Sequence, residues 1–158
     1  MNSSVLVANR FLDLAKEKGG SLTPMQLLKL VYIAHGWMLG LNGVPLIRDR
    51  VEAWQYGPVI PNLYQHIRKY KGEPVTKKIN SLFEKGELDA DEDDVISQVF
   101  DVYGEMPAMR LSRITHAKGT PWELTYEPGS FGINIPSDLI EDHYQKLAER
   151  SSERAAEA

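Results

Sequence analysis

Thr23-Pro-Met-Gln-Leu-Leu-Lys-Leu-Val-Tyr-Ile-Ala-His-Gly-Trp-Met-Leu-Gly-Leu41 is the stretch on which the fold turns. Its start is signed by Thr23 as N-cap, Pro24 at the first helical position and Gln26 three residues after the cap, with Leu22 and Leu27 as a hydrophobic staple. Leu27, Leu30, Val31, Ala34, Trp37, Met38 and Leu41 then recur at helical spacing, while Leu28 and Ile33 fill the flanks. A helix apolar around most of its circumference belongs inside a fold. Asn42-Gly43 ends it. The reading is a mainly α protein: a single-domain helical bundle around this central apolar helix, about residues 23–41, with a small accessory β element.

Working outward, a first helix is predicted over about 4–18, with Val7, Phe11, Leu14 and Ala15 on one stripe and Gly19-Gly20 as its stop. After Pro45 the pattern changes. Val51–Tyr56 alternates as a short strand that sets Trp54 and Tyr56 opposite Ala53, and Val75–Ile79 and Ile133–Ile135 are candidate partners. A helix from about Pro61 to Tyr70 ends at Lys71-Gly72-Glu73-Pro74. Residues 84–94 read as a polar, acidic, mobile loop, with Asp91–Asp94 at the positive end of a helix beginning near Val95. Shorter helices follow from Pro107 and from Thr120-Pro121-Trp122-Glu123, a second capping-box pattern, and the last helix begins at Pro136-Ser137-Asp138. The domain is read as residues 1–150, and 151–158, which carry no large apolar side chain, as a fraying tail.

The 158 residues suffice for one real core and fall short of two domains. No apolar run approaches the ~20 residues that cross a bilayer, and Met1–Ser4 carry no export pattern. The absence of cysteine removes disulfides, thiol nucleophiles and thiolate metal sites, in keeping with a cytoplasmic setting. Lys and Arg number 18 against 22 acids, a net charge of −4 that argues against a dedicated nucleic-acid binder.

Candidate chemistry is sparse. His35, His66, His116 and His143 share no spacing that sets two imidazoles on one helical face, so no metal site is expected. There is no Gly-x-Ser-x-Gly elbow and no phosphate-binding glycine loop, so no catalytic or cofactor residues are assigned. His35 reads as a buried hydrogen-bonding group. The helix 23–41 is too apolar for a major groove, with Lys29 its one cation. Arg68, Lys69 and Lys71 fit either a weak DNA contact or a helix C-terminus.

Val51-Glu-Ala-Trp-Gln-Tyr-Gly-Pro-Val-Ile-Pro-Asn-Leu-Tyr64 sets three aromatic rings around Gly57-Pro58 and Pro61, which stiffen the backbone. Rigid amphipathic rings suit a protein-binding patch and suit a small core equally. Trp54 divides evenly between the two; Tyr56, beside a tight turn, is expected at the surface. Trp54, Tyr56, Pro58, Val59 and Tyr64 are the candidate partner-binding residues.

Three groups of residues carry a likeness: Leu22–Trp37 with its Lys29-Leu-x-Tyr32 pattern, Pro45-Leu46, and Glu52-Ala-Trp-Gln-Tyr-Gly-Pro-Val59 with Tyr64. With Leu111–His116, Pro121-Trp122 and Tyr144, the chain resembles the Panacea-domain family of SocA-like antitoxins and GepA-type phage-associated proteins over about residues 4–147. The resemblance implies a non-enzymatic, antitoxin-like protein that binds and neutralises a protein toxin encoded nearby. It also implies, as an alternative, an adaptor delivering a bound client to an ATP-dependent protease of the ClpXP type. A DNA-binding autoregulator is the remaining alternative. No cofactor and no membrane partner is expected.

Overall fold

A computed structural model describes residues 1–80 and 86–157. The fold is mainly α, as the sequence pattern predicts. Helix α1 spans Ser4–Glu17, with the Ser3 hydroxyl accepting from the Val5 N–H. Helix α2 spans Pro24–Asn42; Thr23 and Gln26 close a complete capping box, and Gly43 ends the helix in the left-handed region at φ 70°. Strands β1 (Glu52–Trp54) and β2 (Gly57–Val59) form a hairpin that leads into α3 (Pro61–Ile67) and a 3₁₀ turn through Tyr70. Then come α4 (Ala90–Tyr103), α5 (Ala108–His116), α6 (Pro121–Thr125), β3 (Ile133–Asn134) and α7 (Ser137–Glu157). Beyond Arg150, α7 continues through the stretch read from sequence as a tail.

The all-round apolar character of α2 is explained by its neighbours. It packs against α1, α3, α4, α5, α7 and β2, and Leu27, Leu30, Val31, Ile33 and Ala34 are completely buried. Each large aliphatic side chain buried this way contributes about 1.5–3 kcal/mol. Its most extensive partner is α7. That approach is set by Gly36 and Gly40, one turn apart: a Cβ on Gly36 would lie 2.2 Å from the Tyr144 ring, and one on Gly40 would lie 2.7 Å from the Tyr144 carbonyl carbon. Tyr144 is buried there, edge-on to Trp37 at 5.3 Å and to Tyr32 at 6.5 Å.

The three strands form one antiparallel sheet in the order β2-β1-β3, with Glu52 opposite both Val59 and Asn134. The β3 expectation holds in place. Val75–Ile79 does not join the sheet. Its polar backbone is taken up elsewhere: the Val75 N–H donates to the Leu22 carbonyl at 2.8 Å, and Asn9 brackets Ile79 through its Oδ1 and Nδ2 at 2.8 and 2.9 Å. The strand that pairs with β1 is Gly57–Val59. Its Gly-Pro pair reads as a breaker, yet β2 lies at the sheet edge, where a residue without an N–H leaves no inner ladder bond unmade.

Helix α4 begins five residues earlier than expected from its apolar pattern. Asp89 accepts from the Glu92 N–H at 2.8 Å and Glu92 accepts from the Asp89 N–H at 2.9 Å, so the acidic run is the capped first turn of a helix. Residues 84 and 85 of the expected loop lie outside the described residues. Glu92 also accepts from the Asn2 amide, and Asp93 pairs with Arg10 at 2.6 Å. At α6 only half of the predicted box forms: the Thr120 hydroxyl accepts from the Glu123 N–H at 3.3 Å and itself donates to the Ala117 carbonyl at 2.7 Å.

His35 is buried, and its Nδ1 accepts from the Leu46 and Ile47 N–H groups at 3.2 and 3.4 Å, tying the loop after α2 to the helix. Acceptance requires an unprotonated Nδ1. Burial drives its pKa down from 6.5 to about 4, against a smaller upward pull from Asp49.

Two tests follow from this packing. Gly36→Ala and Gly40→Ala each place a methyl group inside α7; overpacking costs of ~1–3 kcal/mol outweigh the ~1 kcal/mol gained in helix propensity, and thermal melting should fall in both variants. His35 binds fewer protons folded than unfolded between pH 4 and 6.5, so its contribution to stability is complete above that window and is lost as pH falls through it. Urea unfolding of wild type and His35→Asn should therefore differ by a constant amount above pH 6.5 and converge toward pH 4.

Candidate partner-binding site

The β1–β2 corner is fixed from below by a lysine. Lys29 points from α2 under the hairpin, only 1% exposed, and its Nζ donates to the Pro58 carbonyl at 3.0 Å. Among the described residues it has no carboxylate partner. Burial alone lowers its pKa from 10.5 to about 7, so near neutrality the amine is divided between its charged and uncharged forms. Gly57 makes room for it. The backbone there has φ 122°, a conformation that requires glycine, and a Cβ would lie 2.5 Å from Nζ, so any larger residue would also push the lysine tip aside.

A second set of bonds fixes the rings above. The Trp54 indole donates to Glu52 Oε1 at 2.9 Å, and Glu52, itself buried, pairs through its other oxygen with Arg50 at 2.8 Å. The Trp54 carbonyl accepts from the Trp122 indole at 2.6 Å. Trp122 is sandwiched between Tyr126, stacked at 4.8 Å, and His116, edge-on at 5.0 Å. His116 also hydrogen-bonds the Ser112 carbonyl at 2.9 Å. Tyr64 meets Trp54 edge-on at 5.2 Å, and Phe131, from the loop before β3, meets it from another side at 5.2 Å.

These residues wall a cleft of about 490 Å³, formed by Met25, Trp54, Tyr56, Val59, Tyr64 and Phe131 with Lys29 at its floor. Four of the five sequence-predicted residues line it together. The fifth, Pro58, is buried and faces Lys29 with its carbonyl. Trp54 is half-buried, between its two sequence readings, and Tyr56 is 70% exposed, in the turn beyond β1. Sequence reasoning missed Phe131, 79% exposed, although an aromatic residue set between Gly129 and Gly132 is itself a signal of a displayed ring. It also gave Lys29 no place in the site, noting it only as the one cation of α2; nothing local distinguishes a lysine that will be covered by a hairpin closing 29 residues later.

A mainly helical domain with an accessory hairpin held rigidly over its central helix is thus the scaffold, and the ring-lined cleft is its candidate binding feature. The chain matches the family described as Antitoxin SocA-like, Panacea domain, over residues 27–123, a span that contains Lys29, the β1–β2 hairpin and Trp122. It is 32% identical to Antitoxin SocA of Caulobacter vibrioides (strain NA1000 / CB15N) over 154 aligned positions, covering 88% of this chain and 80% of that protein. The chain belongs to the SocA-like, Panacea-domain antitoxin family. No solved structure matches it. Among the described residues no helix is long and apolar enough to cross a membrane.

The buried amine gives the site a pH signature. Between pH 7 and 10.5 the folded protein binds fewer protons at Lys29 than the unfolded chain does, so stability rises with pH across that interval and is flat on this account below it. Unfolding free energies of wild type, referred to those of Lys29→Met at each pH, should climb by several kcal/mol from pH 7 toward 10.5; a constant difference would show that Nζ is solvated in the folded state.

Proposed function

We propose that this protein is a non-enzymatic antitoxin that binds a protein toxin directly in the cytoplasm and neutralises it by covering the toxin's working surface. Family membership supports the antitoxin role. The observation that carries the docking site is the pair of large exposed rings, Tyr56 and Phe131, on a cleft whose floor and walls are immobilised by Lys29, Glu52 and Trp122. Exposed aromatic rings beside a framework of this kind are among the residues that dominate interface energetics once a partner buries them. A standard interface of roughly 1,600 Å² would extend past the cleft, onto faces such as those of α5 and α6, which carry the exposed Met109 and Leu124. With no cysteine among its residues, the chain is also suited to a reducing compartment.

Co-expression with the product of the adjacent reading frame should relieve growth inhibition, and the two proteins should co-purify. Tyr56→Ala and Phe131→Ala should each weaken that complex about thirtyfold, the ~2 kcal/mol of a hot-spot residue, with melting temperature nearly unchanged because both rings are exposed. Tyr64→Ala, which strips an edge contact from Trp54, should lower both affinity and melting temperature. Failure of both rescue and co-purification would overturn the antitoxin reading; indifference to Tyr56 and Phe131 would move the docking face elsewhere.

A further inference from the structure

Lys29 is the unusual atom group of the cleft. An ammonium offers three donors, and among the described residues one acceptor, the Pro58 carbonyl, is in place. A buried cation without an anion is an uncompensated cost to the fold, and an arriving carboxylate would meet it in a low-dielectric setting where a charge-assisted hydrogen bond is strongest. Nζ packs against Gly57 on the hairpin side, and Lys29 borders the cleft at its floor, so the cleft is the side from which a ligand meets it. Around this point the walls are rings, so a complementary ligand presents an apolar side chain and a carboxylate at once.

We infer that the cleft receives the carboxyl terminus of the toxin chain, its last side chain against Trp54, Tyr64 and Phe131 and its carboxylate on Lys29, an assignment that rests on the toxin-binding reading above. A terminal residue carries both groups on adjacent atoms and has no onward chain. A segment running through the cleft would bring further backbone amides among the rings, where they would lose water without gaining partners. Capture of a terminal carboxylate is an established mode of peptide recognition, and here a single buried lysine takes the part that backbone donors take elsewhere.

The test uses three N-acetylated peptides on the intact protein: Ala-Ala-Phe as the free acid, the same peptide as its amide, and Ala-Glu-Phe amide, which carries an internal acid. Binding is read from the Lys29 side-chain resonances in lysine-labelled protein and from titration calorimetry. The free acid should bind at least about tenfold tighter than either amide, and should shift the Lys29 resonances. Phe131→Ala should weaken the free acid, and Lys29→Met should abolish its advantage over the amide. Equal affinities, no binding, or a preference for the internal acid overturns the inference, and the wild-type comparison decides this even if Lys29→Met fails to fold. Toxin capture that depends on Tyr56, with no free-acid preference, would sink this inference alone. Free-acid preference without any toxin capture would sink the antitoxin reading instead.

Discussion

The Lys29 ammonium on the Pro58 carbonyl is the contact around which the functional end of this protein is organised. A lysine in that position has to be covered, and the cover is a hairpin whose edge strand has neither a side chain at 57 nor an N–H at 58. Glycine admits Nζ, and proline at the sheet edge accepts with its carbonyl while surrendering no ladder bond. The Lys29-Leu-x-Tyr32 helix and the Trp54-x-Tyr-Gly-Pro-Val59 turn, the two stretches that carry the family likeness, are therefore halves of one interaction. Either half alone is unremarkable chemistry; joined, they define a corner with one backbone path.

Two further constraints make that corner rigid enough to matter. Helix α2 cannot tilt or slide easily, because Gly36 and Gly40 lock it at contact distance against α7, and because His35 holds the loop leading to β1. The rings of the corner are pinned at their polar atoms, Trp54 through Glu52 and Trp122 through the Trp54 carbonyl. Hydrogen bonds to indole N–H groups set orientation in a way that apolar packing does not. The surface left over is apolar and exposed beside this hydrogen-bonded framework, a combination that costs a free protein solubility and suits a surface meant to be covered.

Much of the architecture was legible before any coordinates. Helix α2 announced itself through Thr23, Pro24, Gln26 and an apolar periodicity with no polar face, and its central place in the bundle followed from that periodicity alone. The acidic run was harder. Asp89 and Glu92 are a capping box, but they sit among so many carboxylates that composition suggested a loop where local geometry makes a helix start. Val75–Ile79 failed as a strand for another reason: its hydrogen-bonding groups found Leu22 and Asn9 first.

At the site, the chain alone determined which residue types were available: three rings near a Gly-Pro turn, no cysteine, no spaced histidines, no nucleophile elbow. Those are local properties, carried by spacing and side-chain chemistry. Tertiary structure alone decided that Phe131 would join Trp54, that Pro58 would turn inward, and that Lys29 would be buried beneath both. Each of these depends on segments tens of residues apart meeting in space, and the energy of a buried charge depends on everything that shuts water away from it, which no window of sequence contains.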